Sequence, residues 1–175
     1  MEIRKIQLSE KYPEATLTTY VSDDTPEMKM PPRQAIVVCP GGGYVYCSPR
    51  EAEPVALRYA SAGFHAFILR YSTGWDAAGF APLQEVSWAI GYIREHAEEW
   101  NIDPEKIVTC GFSAGGYIVC LWNTEAGYRA FHLPKPQACF PIYPCTSYRL
   151  MNAEEWDDEA DKDAFAISGV GCTMQ

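Results

Sequence analysis

The chain has 175 residues, a length that suits one domain, and 47% of them are hydrophobic, enough to fill a core. Its formal net charge of −9 would repel a polyanion, so the composition argues against nucleic-acid binding. The N-terminal residues hold no apolar run typical of a signal peptide, and no stretch has the length of a membrane-spanning helix. We therefore expect a cytoplasmic protein that binds neither nucleic acid nor a membrane.

Short stretches with strand-like and helix-like periodicity follow one another along the chain. Alternating apolar and polar side chains at residues 3–8 and 15–21 predict an antiparallel pair of strands. Continuous apolar runs, typical of strands buried on both faces, lie at residues 35–39, 65–69, 106–110 and 138–143. Helical spacing lies at residues 51–62, 82–100 and 117–125, with an irregular connection at 72–80.

This order of elements predicts an α/β fold: a mostly parallel, doubly wound sheet with helices on both faces and an N-terminal antiparallel pair. Residues 1–145 are assigned to this core, and residues 146–175, which include an acidic run at 154–163, to a C-terminal tail. Three of the seven cysteines, Cys39, Cys110 and Cys139, lie in apolar runs, so we expect buried free thiols. The cysteine spacings fit no zinc site.

The segment at residues 111–115, Gly-Phe-Ser-Ala-Gly, matches the G-x-S-x-G nucleophile elbow. In an elbow, the serine stands on a strained turn between a strand and a helix, and the flanking glycines avoid steric clashes. The apolar run at 106–110 precedes the motif and a helical pattern follows it, as an elbow requires. The alternative is a glycine-rich turn in which Ser113 is an ordinary helix N-cap.

A second glycine segment, residues 41–43, follows the apolar run at 35–39. Backbone N–H groups of such a loop, together with the N–H of Ala114, can hold the oxyanion of a tetrahedral intermediate. A flexible turn or a phosphate cradle is the alternative interpretation. The two common nucleotide-binding glycine motifs, G-x-x-x-x-G-K-[ST] and G-x-G-x-x-G, are both absent.

Residues 35–44, 92–107 and 111–116 together resemble the bacterial acetyl-xylan-esterase-like α/β-hydrolases, and the resemblance covers roughly residues 30 to 145. It implies hydrolysis of short acyl esters, often acetyl groups on plant-derived sugars, without a metal or an organic cofactor. The residues that it implicates are Ser113 as nucleophile, Gly42 or Gly43 with Ala114 as oxyanion hole, and Tyr44 and Phe112 as substrate-binding residues.

In that family an aspartate and then a histidine follow the nucleophile. Only 62 residues follow Ser113, and no segment that would carry this acid and base is recognisable. His65 begins a strand, and His96 lies near the end of the helix predicted at 82–100, which runs back towards the strand starts. His132 follows the helix after the elbow, which carries the chain away from Ser113. All three histidines are therefore expected far from the site, which lies at the carboxyl ends of parallel strands.

We accordingly expect a C-terminally shortened hydrolase that lacks the last strands of its sheet and has impaired activity. We also expect this chain either to self-associate through the uncovered edge or to cover that edge with its acidic tail. Asp76 lies on the correct side of the sheet, and residues 154–163 follow the last strand, but an acidic run is usually a solvated surface. Two other functions stay open: a non-catalytic protein that keeps an ester or sugar pocket, and an oligopeptidase-type serine peptidase.

Overall fold

The computed structural model describes residues 1–27 and 29–146. The strands are β1 (Lys5–Gln7), β2 (Thr16–Tyr20), β3 (Arg33–Cys39), β4 (His65–Arg70), β5 (Ile102–Phe112) and β6 (Ala138–Ile142). The α-helices are α1 (Glu53–Ser61), α2 (Ala81–Glu95), α3 (Ala114–Trp122) and α4 (Glu125–Ala130), and 3-10 segments lie at Pro49–Glu51 and Gly74–Phe80. No helix in this described part is long and apolar enough to cross a membrane.

The described strands form one sheet in the order β1-β2-β4-β3-β5-β6. Strands β4, β3, β5 and β6 are mutually parallel, whereas β1 and β2 pair antiparallel and β2 pairs antiparallel with β4. The predicted fold class is therefore confirmed. Because β3 and β5 are central and parallel, the loops that follow them meet at the same edge of the sheet.

Each face of the sheet has its own core. Val37, Phe67 and Leu69 pack on one face against α2 and α3, whereas Ile36 and Ile68 pack on the other face beside α1. Successive residues of a strand point to opposite faces, so a strand covered on both sides must be apolar at every position. This requirement explains the continuous apolar runs in the sequence.

The boundaries of several elements differ from the predicted ones. The helix predicted at 51–62 begins as a separate 3-10 turn, because Ala52, at φ −105° and ψ −101°, interrupts the helical backbone before α1. Helix α2 ends at Glu95 rather than at residue 100, and β5 extends over Ile102–Phe112 because its first residues pair with Arg33. The irregular connection contains the 3-10 segment Gly74–Phe80, and the helix predicted at 117–125 is divided between α3 and α4.

The three cysteines expected to be buried thiols are free, with Cys39 and Cys110 buried and Cys139 half-buried on β6. The acidic run at 154–163 lies outside the described residues, so the boundary at residue 145 stays a prediction.

Candidate active site

Ser113 stands between the end of β5 and the start of α3. Its backbone has φ 50° and ψ −113°, an uncommon conformation for a residue with a side chain. Its hydroxyl makes no capping hydrogen bond to the helix, and an ordinary N-cap residue has an extended backbone instead. The alternative of a simple N-cap serine is therefore wrong, and the turn has the strained form of a nucleophile elbow.

The two glycines of the motif are required by close backbone contacts. A Cβ on Gly111 would lie 2.2 Å from the carbonyl oxygen of Gly115. A Cβ on Gly115 would lie 2.2 Å from the carbonyl oxygen of Cys39 and 2.5 Å from that of Pro40. These distances are too short for any side chain, so the spacing G-x-S-x-G follows from how tightly α3 packs against the ends of β3 and β5.

Backbone hydrogen bonds hold the elbow against the end of β6. The Ser113 N–H donates to the Ile142 carbonyl at 3.0 Å, and the Ser113 carbonyl accepts from the N–H groups of Tyr117 and Cys145, each at 3.0 Å. Ser113 itself is half-buried. The end of β6 and the residues up to Cys145 therefore pass beside the nucleophile and hold its backbone.

The glycine loop after β3 lies against the elbow. A Cβ on Gly41 would lie 2.8 Å from the Phe112 carbonyl oxygen and 3.0 Å from the Cβ of Ser113. Gly42 and Gly43 have positive φ values of 134° and 61°, which glycine adopts without strain. The Gly41 N–H donates to Glu51 and is therefore engaged, whereas the assignment of Gly42 or Gly43 as oxyanion donor stays a prediction.

Tyr44 and Phe112, the two predicted substrate-binding residues, lie on different sides of the elbow. Tyr44 is only 3% exposed and its hydroxyl donates to the Ala114 carbonyl at 3.4 Å. It lines a small cavity together with Tyr117. Phe112 is half-buried on the α1 side of the sheet, with its ring 6.0 Å from that of Tyr143. Ala114, the other predicted oxyanion donor, is fully buried at the first position of α3.

Sequence reasoning missed two polar side chains that bond to Pro40 and Gly41, and a third, Tyr143, that bonds to one of them. The Glu51 carboxylate accepts the Gly41 N–H at 2.8 Å and also accepts the hydroxyl of Tyr143. The Tyr71 hydroxyl donates to the Pro40 carbonyl at 2.6 Å, and burial raises the pKa of Tyr71 well above its usual value. Each partner is at least ten residues distant in sequence from the loop residue that it contacts. No local motif could have indicated these contacts.

The histidines lie at the opposite edge of the sheet, as predicted. His65 pairs with Ala35, which pairs with Ile107, six residues before Ser113. At about 3.3 Å per strand residue, His65 is roughly 20 Å from the nucleophile. Burial is the main factor that lowers the pKa of His65 to about 4, and its Nδ1 accepts the Ser22 N–H.

The other two histidines are at the same far edge. His96 precedes Ala97, whose carbonyl accepts the Ile102 N–H at the beginning of β5. His132 lies five residues before Gln137, whose N–H donates to the carbonyl of Ile107 near the start of the parallel strands. A general base must lie within about 3 Å of the hydroxyl that it deprotonates, so none of the three histidines can serve Ser113.

Acidic side chains are present on the correct side of the sheet. Asp76 is exposed in the 3-10 segment after β4, where its role stays a prediction. Nearby, the buried Glu85 carboxylate accepts the N–H and the hydroxyl of Ser72. Burial raises the pKa of Glu85, whereas the two bonds from Ser72 lower it. Within residues 1–27 and 29–146, no cluster of three or more His, Cys, Asp or Glu residues could hold a metal ion.

A strained serine at a strand-to-helix turn, with a glycine loop against it and a helix N-terminus behind it, can stabilise an oxyanion. Comparison with known proteins identifies the group to which this arrangement belongs. The model of the BD-FAE family matches residues 21–139. The chain belongs to the BD-FAE family. This is an α/β-hydrolase esterase family, which confirms the resemblance inferred from the sequence.

The chain is similar to several hydrolases beyond the family match. It is 28% identical over 127 residues to an acetylxylan esterase of Xylanibacter ruminicola, covering 72% of this chain and 25% of that enzyme. It is 41% identical to the α/β-hydrolase MGS-M1 from a deep-sea metagenome, with a TM-score of 0.75 over 82% of this chain and 57% of that one. An acetyl ester-xyloside bifunctional hydrolase of Caldicellulosiruptor lactoaceticus is 28% identical, with a TM-score of 0.70 over 94% of this chain and 62% of that one. This BD-FAE chain thus spans less than two thirds of each relative.

Proposed function

We propose that this chain is the nucleophile-bearing part of a carboxylesterase that hydrolyses acetyl and other short acyl esters, including those of sugars. The observation that carries the proposal is the backbone of Ser113, strained at φ 50° and ψ −113° beside the Gly41 loop. Strain of this kind persists only where the surrounding structure imposes it, and it exposes the hydroxyl at the top of the sheet. The similar acetylxylan esterase and acetyl ester-xyloside hydrolase support acetylated sugars as the substrate class.

In this proposal the Ser113 Oγ attacks the ester carbonyl and the N–H groups of Ala114 and of Gly42 or Gly43 receive the negative charge. The helix dipole of α3 adds to this stabilisation because the helix N-terminus points at the site. The proton of Ser113 requires a base, which none of the histidines of this chain supplies. In the proposal this chain contributes the nucleophile and the oxyanion donors of the reaction.

A fluorophosphonate probe with imidazole as an external base tests the proposal. In this reaction a bond forms between Ser113 Oγ and phosphorus, the bond to fluoride breaks, and imidazole takes the proton. We expect imidazole to accelerate labelling of Ser113, located by peptide mass spectrometry, and Ser113→Ala to abolish it. Labelling at other serines as fast as at Ser113 would overturn the proposal and favour a non-catalytic binding protein.

A further inference from the structure

The peptide group between Pro40 and Gly41 is held at both of its polar atoms. Its carbonyl oxygen accepts the Tyr71 hydroxyl at 2.6 Å, and its N–H donates to a Glu51 carboxylate oxygen at 2.8 Å. A peptide group is planar and rigid, so two hydrogen bonds on opposite sides fix the orientation of the whole unit. Gly42 follows directly, which means that this unit sets the direction in which the glycine loop leaves β3.

The two side chains that hold this peptide group come from separate elements. Tyr71 follows β4 and is 2% exposed, whereas Glu51 ends the 3-10 segment before α1 and is half-buried. Tyr143, which follows β6, donates its hydroxyl to the second carboxylate oxygen of Glu51. Glu51 therefore links the glycine loop to the chain that also hydrogen-bonds the backbone of Ser113.

Positioning of this kind affects an oxyanion hole because its donors stabilise charge only when they are already oriented. Both Gly42 and Gly43 have positive φ values, and glycine has wide conformational freedom. Without a fixed starting point the loop could adopt several directions. A charged acceptor forms a stronger hydrogen bond to an N–H than a neutral one does, which makes a carboxylate well suited to fix it.

We propose that Glu51 and Tyr71 are positioning residues that clamp the Pro40–Gly41 peptide group and thereby orient the oxyanion donors of the loop towards Ser113. This inference rests on the proposed function of Ser113 as a nucleophile. It assigns to Glu51 a role through the hydrogen bond to the Gly41 N–H.

Binding of a methylboronic acid probe to the full 175-residue chain tests the clamp. The Ser113 oxygen adds to boron, the serine proton passes to solvent, and boron becomes a tetrahedral anion that imitates the intermediate. We expect Glu51→Ala to weaken this binding at least about tenfold. Glu51→Gln should restore most of the affinity, since its amide oxygen can still accept the Gly41 N–H. Tyr71→Phe should also weaken binding. The double variant with Glu51→Ala should lose less affinity than the product of the two single fold-losses, because both side chains hold one peptide group.

Glu53→Ala is the matched control. Glu53 lies two residues beyond Glu51 and accepts the hydroxyl of Tyr20 at 3.0 Å, so its loss removes a similar bond remote from the loop. This variant should bind the boronate like the unsubstituted chain. Equal affinity in the Glu51→Ala and Glu53→Ala variants would overturn the clamp.

Hydrogen–deuterium exchange of peptides that cover residues 40–48 separates failure of the clamp from failure of the proposed function. We expect faster exchange in this segment in Glu51→Ala and unchanged exchange in Glu53→Ala. No Ser113-dependent tetrahedral boron signal in the unsubstituted chain would contradict the proposed function. The exchange rates alone would then decide whether Glu51 restrains the loop, and unchanged exchange in Glu51→Ala would overturn that restraint.

Discussion

Replacing Ser113 by alanine in the 175-residue chain should change the rate of p-nitrophenyl acetate hydrolysis very little. The serine hydroxyl is a poor nucleophile until a base takes its proton, and that base must lie within about 3 Å. The register places His65 roughly 20 Å from Ser113, and His96 and His132 lie at the same far edge of the sheet. The side chain therefore has no imidazole partner within the chain.

The expected magnitude follows from the effect of removing catalytic-triad residues on the rate. When triad members are removed from serine hydrolases, a residual acceleration of about 10³–10⁴ over water survives through binding and the oxyanion hole. Triad members act as a unit, so the loss of a second member after the first adds little. We therefore expect hydrolysis rates of the unsubstituted chain and the Ser113→Ala variant to agree within about threefold.

The assay compares initial rates of p-nitrophenol release for the two proteins over a range of concentrations near neutral pH. Circular dichroism should confirm that both proteins are folded. A concentration series is needed because a second copy of the chain could supply a histidine. Turnover of many per second that disappears in Ser113→Ala would refute the reasoning, since it would require a base near Ser113.

Three further predictions concern stability and assembly. Gly115→Ala should destabilise the fold by about 1–3 kcal/mol in urea denaturation, because its Cβ would lie 2.2 Å from the Cys39 carbonyl oxygen. Gly91→Ala in α2, where a Cβ would contact nothing within 4 Å, is the control and should not destabilise. The pKa of His65 is about 4 in the folded chain, below its ordinary value of 6.5, mainly because burial disfavours the charged ring. The free energy of unfolding should therefore be highest above pH 6.5 and should fall by about 3 kcal/mol as the pH drops towards 4. His65→Asn should flatten this part of the stability profile, and an unchanged slope would contradict the assignment. Phe140 is 46% exposed on β6, the outermost of the described strands on that side of the sheet, and should promote self-association. Phe140→Asp should therefore lower the mass measured by light scattering, and a parent chain that is already monomeric would contradict the prediction.

The sequence predicted the parts of the fold that local patterns determine. Strand β3 was recognisable because both of its faces are buried, which requires an apolar side chain at every position from Ala35 to Cys39. The elbow was recognisable because Gly111 and Gly115 are demanded by backbone contacts at a fixed spacing. The far position of His65 could also be predicted, since the residue that begins a parallel strand lies opposite the site.

Features that depend on contacts between distant segments could not be predicted. Glu51 was interpreted as the first residue of a helix, and nothing in its neighbourhood indicates that its carboxylate turns back to the Gly41 amide. Tyr71 follows a buried strand and could equally have been an ordinary core residue. The place of β2 beside β4 was likewise not predicted, because strand order depends on packing between segments of chain that are remote in sequence.

The arrangement separates two requirements of ester hydrolysis. Stabilising the oxyanion depends on the loop after β3, the elbow after β5 and the clamp from Glu51 and Tyr71, all of which lie within the described residues. Activating Ser113 depends on a base, which none of the three histidines can provide. In this chain, affinity for the boronate and ester turnover should therefore be independent. Substitution of Glu51 should weaken boronate binding, whereas substitution of Ser113 should hardly change ester turnover. If both measurements responded only to Ser113, the oxyanion donors would owe their orientation to something other than the clamp.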